Sequence, residues 1–296
     1  MLPTDQPKDI LGMIDVYSYF HLTNIEREIM RETTQSRGQL PSLSPNLIGK
    51  VAIVTGSSKY IVASTLRGAT VIITYTSEKS HGGAITVSRA IEETESGGKG
   101  IIVQANITSA VDREALVDAA VQASPNKAID ILIHNAGNGD DAYLKDISEE
   151  FFEQLVGVNL KAPIFLTQAA VPHMPRGGRV VLITSAAARM GVAQTTVYAA
   201  GKAGMESLAR VWATELGQSH GITVNCVSPG PIATEQFHNS APEFKEALQP
   251  MIESTPAEAR MGEVEDIAPL VSFLCSEESR WLTGSVLSGT GGLLLF

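Results

Sequence analysis

Three residues in the middle of the chain have the types and spacing for proton transfer. In SAAARMGVAQTTVYAAGKAG, Ser185 stands thirteen residues before Tyr198, and Lys202 follows Tyr198 by four. Positions i and i+4 of a helix share one face about one turn apart, so the ammonium of Lys202 can approach the phenol of Tyr198. A free tyrosine has a pKa near ~10, too high for ready proton exchange at neutral pH. A cation at ~5 Å, in a medium of effective dielectric ~20, favours the phenolate by about 3 kcal/mol, or roughly two pKa units. Tyr198 is therefore the candidate general acid/base, and the Ser185 hydroxyl the candidate hydrogen-bond donor to a substrate carbonyl. Taken alone, Tyr-x-x-x-Lys on a helix is an ordinary half-buried ring beside a solvated charge. Here Ala199, Ala200, Gly201, Ala203 and Gly204 surround the pair and permit close packing of its helix.

Such a constellation needs a rigid frame, and the sequence from Lys50 onward supplies one. Seven β-branched, apolar runs occur at 51–55, 70–75, 101–104, 130–134, 179–184, 222–227 and 284–288. They are apolar on both faces, as in a parallel sheet covered by helices on each side. Helical patterns lie between them, at 88–94, 111–123, 149–170, 196–216 and 264–275. This alternation predicts a single α/β, doubly wound Rossmann-type domain over 47–296, with a seven-stranded, mostly parallel sheet. Residues 1–46 read as an N-terminal extension, partly helical or disordered. Ile10, Ile14 and Tyr17 there have helical spacing, and a Pro/Ser/Gly-rich linker follows.

Ligands of doubly wound sheets bind beyond the carboxyl ends of the strands. Small and polar residues collect at those ends: Gly56-Ser57-Ser58, Thr76-Ser77, Asn106, Asn135-Ala136-Gly137, Ser185 and Ser228-Pro229-Gly230.

The formal net charge of −10 argues against a nucleic-acid partner, which needs a basic face. No run of ~18 apolar residues suits a membrane span, and the N-terminus lacks the pattern of a secretion signal, so the expected location is cytoplasmic. The two cysteines, Cys226 and Cys275, read as reduced and buried. No spacing of ligand residues suggests a metal site.

The segment from Leu47 to the C-terminus resembles the short-chain dehydrogenase/reductase family. The motifs that carry the resemblance are VTGSS, HNAG, Asn159 in VNLKAP, the Ser185–Tyr198–Lys202 set and VNCVSPGPIAT. ITSAAARMG, VYAAGKAG and SPGPIAT are similar to the 3-oxoacyl-carrier-protein reductase branch and to fungal polyketide ketoreductases. The resemblance implies hydride transfer between a nicotinamide and a carbon centre, interconverting a ketone and a secondary alcohol. It makes Tyr198 the proton donor or acceptor, Ser185 the carbonyl orienter, and Lys202 the pKa-lowering cation and ligand of the nicotinamide ribose. It makes Asn159 the residue that completes a proton relay to Lys202 through a water. It places Gly56, Ser57, Ser58, Lys59, Thr76, Ser77, Asn106, Ile107, Asn135, Ala136, Gly137, Pro229, Gly230, Ile232 and Thr234 around the cofactor. His134, which departs from the family's usual asparagine, reads as the last residue of a strand, satisfied by backbone hydrogen bonds. The expected partners are a small carbonyl or alcohol substrate and further copies of the chain, as a homodimer or homotetramer.

NAD-specific sites of this kind place a carboxylate at the end of the second strand. Here that position holds Tyr75, Thr76 and Ser77, with Lys79 behind and Lys59 at the preceding turn. NADPH is expected over NADH, with Glu78 the one carboxylate a change of register would bring to the ribose. Substrate choice is expected from Met190, Gln194 and a lid around 235–251.

The glycine-rich turn departs from the family pattern. Gly56 and Gly68 are twelve positions apart where the pattern needs about seventeen, and Tyr60 and Ile61 follow where two glycines are usual. Those glycines let backbone amides approach a pyrophosphate. The shortening is read in two ways. It is either a defect in the encoded sequence of an intact reductase, or a real divergence toward a cofactor-poor, non-redox protein that binds a small molecule or a partner subunit.

Overall fold

The computed structural model describes residues 47–57, 66–94, 96–234, 237 and 242–295. The N-terminal extension, Ser58, Lys59 and the shortened turn lie outside them. Seven strands form one sheet: β1 (Val51–Val54), β2 (Thr70–Tyr75), β3 (Lys99–Gln104), β4 (Ile131–His134), β5 (Arg179–Ile183), β6 (Thr223–Pro229) and β7 (Val286–Gly289). Their order is β3-β2-β1-β4-β5-β6-β7, and every pairing is parallel.

The continuous apolar runs follow from this arrangement, because alternate residues of each strand face opposite cores. Ala52, Val54, Ile131, Ile133 and Val181 pack on one face with α1 (Glu78–Glu92) and α7 (Val264–Cys275). Val51, Ile53, Leu132, Val180 and Leu182 face the other core, with α2 (Ala110–Ala123), α4 (Ala162–Ala170) and α5 (Thr196–His220). Cys226 and Cys275 are both buried and unpaired, one in each core, and burial pushes their thiols up to about 12.

Three elements differ from the sequence expectation. Helix α1 starts at Glu78, ten residues ahead of the expected start at 88. His81-Gly82-Gly83 dilutes the apolar periodicity there, while the start is fixed locally: Ser80 Oγ accepts from the Ser77 N–H at 3.2 Å. The expected helix 149–170 is instead α3 (Glu149–Val156), a π-turn at Gly157–Lys161, and α4. The segment expected as a lid contains α6 (Pro242–Glu253), with Leu248 and Ile252 buried.

Strand order reverses between β1 and β4, which opens a crevice at their carboxyl ends. Among the described residues, no helix is long and apolar enough to cross a membrane.

Candidate active site

A cavity of about 300 Å³ opens at the carboxyl ends of β4, β5 and β6. Ser185, Tyr198 and Lys202 line it together with Asn135, Gly137 and Gly230. Ser185 leaves β5 in extended backbone and caps a short 3-10 turn, its Oγ accepting from the Ala187 N–H at 3.2 Å. Tyr198 lies in the first turn of α5 and Lys202 one turn on, which brings Lys202 Nζ to 5.7 Å from the Tyr198 ring centre. Lys202 is only 3% exposed, and its Nζ donates to the Ile183 carbonyl at 2.8 Å. Sequence spacing thus matches spatial convergence for the three residues.

Their electrostatics differ from the sequence expectation. Burial in the cavity wall raises the Tyr198 phenol above its ordinary value; a hydrogen bond with Ser185 pulls it down, and the charge of Asp141 pushes it up. A net lowering of the phenol by Lys202 is therefore not what the protein groups produce, because desolvation outweighs the pull of neighbouring groups. Burial also lowers the Lys202 ammonium, to about 8.

Asn159 does not line the cavity. It sits fully buried in the π-turn and binds the chain after β4 at both polar atoms. Its Oδ1 accepts from the Asn138 N–H at 3.2 Å, and its Nδ2 donates to the Asn138 carbonyl at 2.7 Å. A Cβ placed on Gly137 would lie 3.1 Å from Asn159 Oδ1 and 3.2 Å from Lys202 Nζ. Gly137 therefore keeps bare the space that these two side chains share, and Asn159 acts as the positioning residue of the loop. Asn159 lies within the π-turn, a local widening that recurs at functional sites of helices.

The expected cofactor residues divide into two groups. Asn135, Gly137, Pro229, Gly230, Ile232 and Thr234 line the cavity with Ser185, Tyr198 and Lys202. Gly56 has φ +61°, and a Cβ there would come 2.7 Å from Ala136 Cα, so a bare turn lets β1 and β4 meet. Asn135 Nδ2 donates to the Thr55 and Gly56 carbonyls, both at 3.0 Å, and the Ala136 N–H donates to Thr55 Oγ1 at 3.0 Å. Other side chains are engaged inside the fold. Ser57 is fully buried, donating to the Val54 carbonyl at 2.7 Å and accepting from the Thr74 N–H at 3.0 Å. Asn106 Oδ1 holds Thr108, at 3.1 and 2.8 Å, and Ile107 is buried with its carbonyl on Arg113 at 2.8 Å. Thr76 and Ser77 are exposed at the end of β2.

His134 is buried, and its partner is the Thr167 hydroxyl at 2.7 Å rather than backbone. Burial lowers its pKa to about 3, so the ring is neutral and structural. Met190 lines the cavity as expected, with Phe237, Phe244, Leu248 and Met251 from the lid segment. Gln194 does not line it. Its backbone is left-handed at φ +70°, and its carbonyl accepts the Ala142 N–H at 2.9 Å. Asp141, which does line the cavity, was not legible from sequence: an Asp-Asp pair in a polar loop reads as a solvated turn.

A family model described as enoyl-(acyl carrier protein) reductase matches residues 61–294, beginning past β1 and its turn. Short-chain dehydrogenase/reductase FrzI of Cladobotryum sp is 43% identical over 258 residues, covering 84% of this chain and 98% of FrzI. The chain belongs to the short-chain dehydrogenase/reductase family. The angucycline C-6 ketoreductase LanV, solved with bound NADP, superposes with a TM-score of 0.76 at 32% identity, over 85% of this chain and 98% of LanV. A blue fluorescent protein from a metagenomic library, solved with NADPH, gives a TM-score of 0.75 at 33% identity, over 84% and 100% of the two chains. As a short-chain dehydrogenase/reductase the chain is an NAD(P)-dependent oxidoreductase by family. The Lys202 ammonium, with the bare Gly137 beside it, fits the nicotinamide end of that cofactor.

Proposed function

We propose that this protein is an NADPH-dependent oxidoreductase that interconverts a ketone and a secondary alcohol on a small metabolite, in secondary metabolism of the polyketide type. The observation that carries the reading is the convergence of Ser185, Tyr198 and Lys202 on a cavity that Met190, Phe237, Phe244 and Leu248 also line. The likeness to LanV, named as a ketoreductase with NADP, supports it.

Lys202, Asn135, Gly137, Gly230, Ile232 and Thr234 would hold the nicotinamide end of the cofactor, which supplies or accepts hydride at the carbinol carbon. The protein's own groups handle the proton. Ser185 Oγ donates a hydrogen bond to the substrate oxygen. Tyr198 delivers its phenolic proton to that oxygen in reduction and takes it back in oxidation. The Lys202 ammonium stabilises the phenolate left behind, and the apolar residues of α6 exclude water.

The end of β2 supports NADPH. Tyr75, Thr76 and Ser77 present no carboxylate, and the Glu78 carboxylate lies 3.9 Å from His81 Nδ1. Thr76, Ser77 and Lys79 would receive the 2′-phosphate.

Tyr198→Phe tests the assignment. The variant keeps NADPH affinity within about twofold while ketone turnover falls by about 100- to 10,000-fold; turnover within threefold of the parent removes Tyr198 from the chemistry. The second reading, a cofactor-poor, non-redox binding protein, is favoured by the twelve positions from Gly56 to Gly68. NADPH fluorescence titration separates the two, since no binding at millimolar cofactor replaces the first reading with the second. The further expectation of a homodimer or homotetramer is supported by Phe152, Phe165 and Val211, which are 47%, 41% and 48% exposed on α3, α4 and α5.

A further inference from the structure

The loop after β4 carries a carboxylate that the proton-transfer chemistry does not use. Residues 138–142 are pinned at both ends. Asn159 holds Asn138 through two hydrogen bonds, at 3.2 and 2.7 Å, and the Gln194 carbonyl holds the Ala142 N–H at 2.9 Å. Ala142 also bridges Thr195 just ahead of α5. Within this span Asp140 turns back on the loop, its Oδ2 accepting from Asn138 Nδ2 at 2.9 Å. Asp141 turns the other way. It lines the cavity, half-buried, close enough to Tyr198 for its charge to act on the phenol.

Asp141 has no hydrogen-bond or ion-pair partner among the described residues, and it is the one carboxylate among the described residues of the cavity wall. Burial and the neighbouring charge of Asp140 push it up to about 6. A carboxyl held on a rigid loop, facing an apolar chamber and lacking an internal partner, retains unused acceptor capacity that a ligand can satisfy. Asp141 and Lys202 give the cavity wall one charge of each sign among the described residues, which suits an uncharged ligand with a hydroxyl donor.

We propose that Asp141 is a specificity-determining residue that accepts a hydrogen bond from a hydroxyl group of the substrate, selecting hydroxylated ketones over their deoxy counterparts. This inference rests on the reductase reading and adds the substrate class. The gain is asymmetric: a ligand seated over the half-buried carboxylate displaces its water, so an analogue lacking the hydroxyl leaves that bond unreplaced.

The probes are 1-tetralone and its 5-, 6- and 7-hydroxy derivatives, assayed with NADPH on the full chain. The parent protein prefers at least one hydroxytetralone over 1-tetralone by at least tenfold in kcat/KM. In Asp141→Ala that ratio collapses toward one, mainly through KM, and in Asp141→Glu it partly returns. Equal kcat/KM for all four ketones in the parent protein overturns the proposal. So does a loss in Asp141→Ala that moves hydroxylated and parent ketones together, which is the mark of a merely structural residue. If no ketone is reduced, the reductase reading fails separately, and calorimetric binding of the same four ketones decides the role of Asp141. Binding of a hydroxytetralone at least tenfold tighter than 1-tetralone, lost in Asp141→Ala, supports the carboxylate site; equal affinities overturn it.

Discussion

The ammonium of Lys202, 3% exposed and bonded to the Ile183 carbonyl, carries its charge in a desolvated wall, and this couples proton chemistry to stability. Its folded pKa is lowered from 10.5 to about 8, which corresponds to about 3 kcal/mol of destabilisation at neutral pH. The unfolded chain binds more protons between those values, so stability rises as pH climbs from about 8 toward 10.5. Lys202→Met keeps most of the stem volume and removes the charge. At pH 7 the variant gains about 1–2 kcal/mol in urea unfolding, net of roughly 1 kcal/mol for the lost hydrogen bond. It loses ketone turnover, and the parent's stability overtakes its own in alkaline buffer. A stability difference that does not change with pH would assign the effect to packing instead. At this scale the Tyr198–Lys202 pair is legible in sequence because i, i+4 spacing on a helix fixes neighbours locally. Asp141 is not, because its exposure is set by which loop lies opposite.

Asn159 ties the π-turn at Gly157–Lys161 to the loop after β4. Both of its side-chain bonds go to the backbone of Asn138, and the residue is fully buried. Asn159→Ala leaves the N–H and the carbonyl of half-buried Asn138 without their side-chain partners. The expected loss is about 2–3 kcal/mol of unfolding free energy, measured by urea titration, with turnover falling as the 138–142 loop loosens. A loss below about 0.5 kcal/mol would mean that water replaces the amide. Helical periodicity alone predicts one straight helix over 149–170, since one extra residue in a turn shifts register without altering composition. The early start of α1 is hidden in the same way, because Ser77 and Ser80 set it while Gly82 and Gly83 argue against it.

At the scale of the molecule, the two cores take up most large apolar side chains of the described residues, and several remain exposed, among them Trp281, Leu144 and Val111 as well as three on α3, α4 and α5. Phe152, Phe165 and Val211 are the three on α3, α4 and α5, and apolar side chains exposed on helix faces favour association. Light scattering is expected to give two or four times the chain mass of 31.4 kDa, and Phe152→Glu with Val211→Glu to shift it toward the monomer. A parent protein at the monomer mass removes the oligomer proposal. The sequence by itself determined the parallel sheet, because strands buried on both faces must be apolar at every position, whatever their order. It also determined that Ser185, Tyr198 and Lys202 come together, since their spacing is carried by one strand end and one helix. Only the tertiary structure decided which strand-end residues face the cavity. Ser57 and Ile107 turned inward, Asn159 became the support of a loop, and Asp141 emerged into the site, because each orientation depends on chain segments that meet only when the sheet closes its crevice.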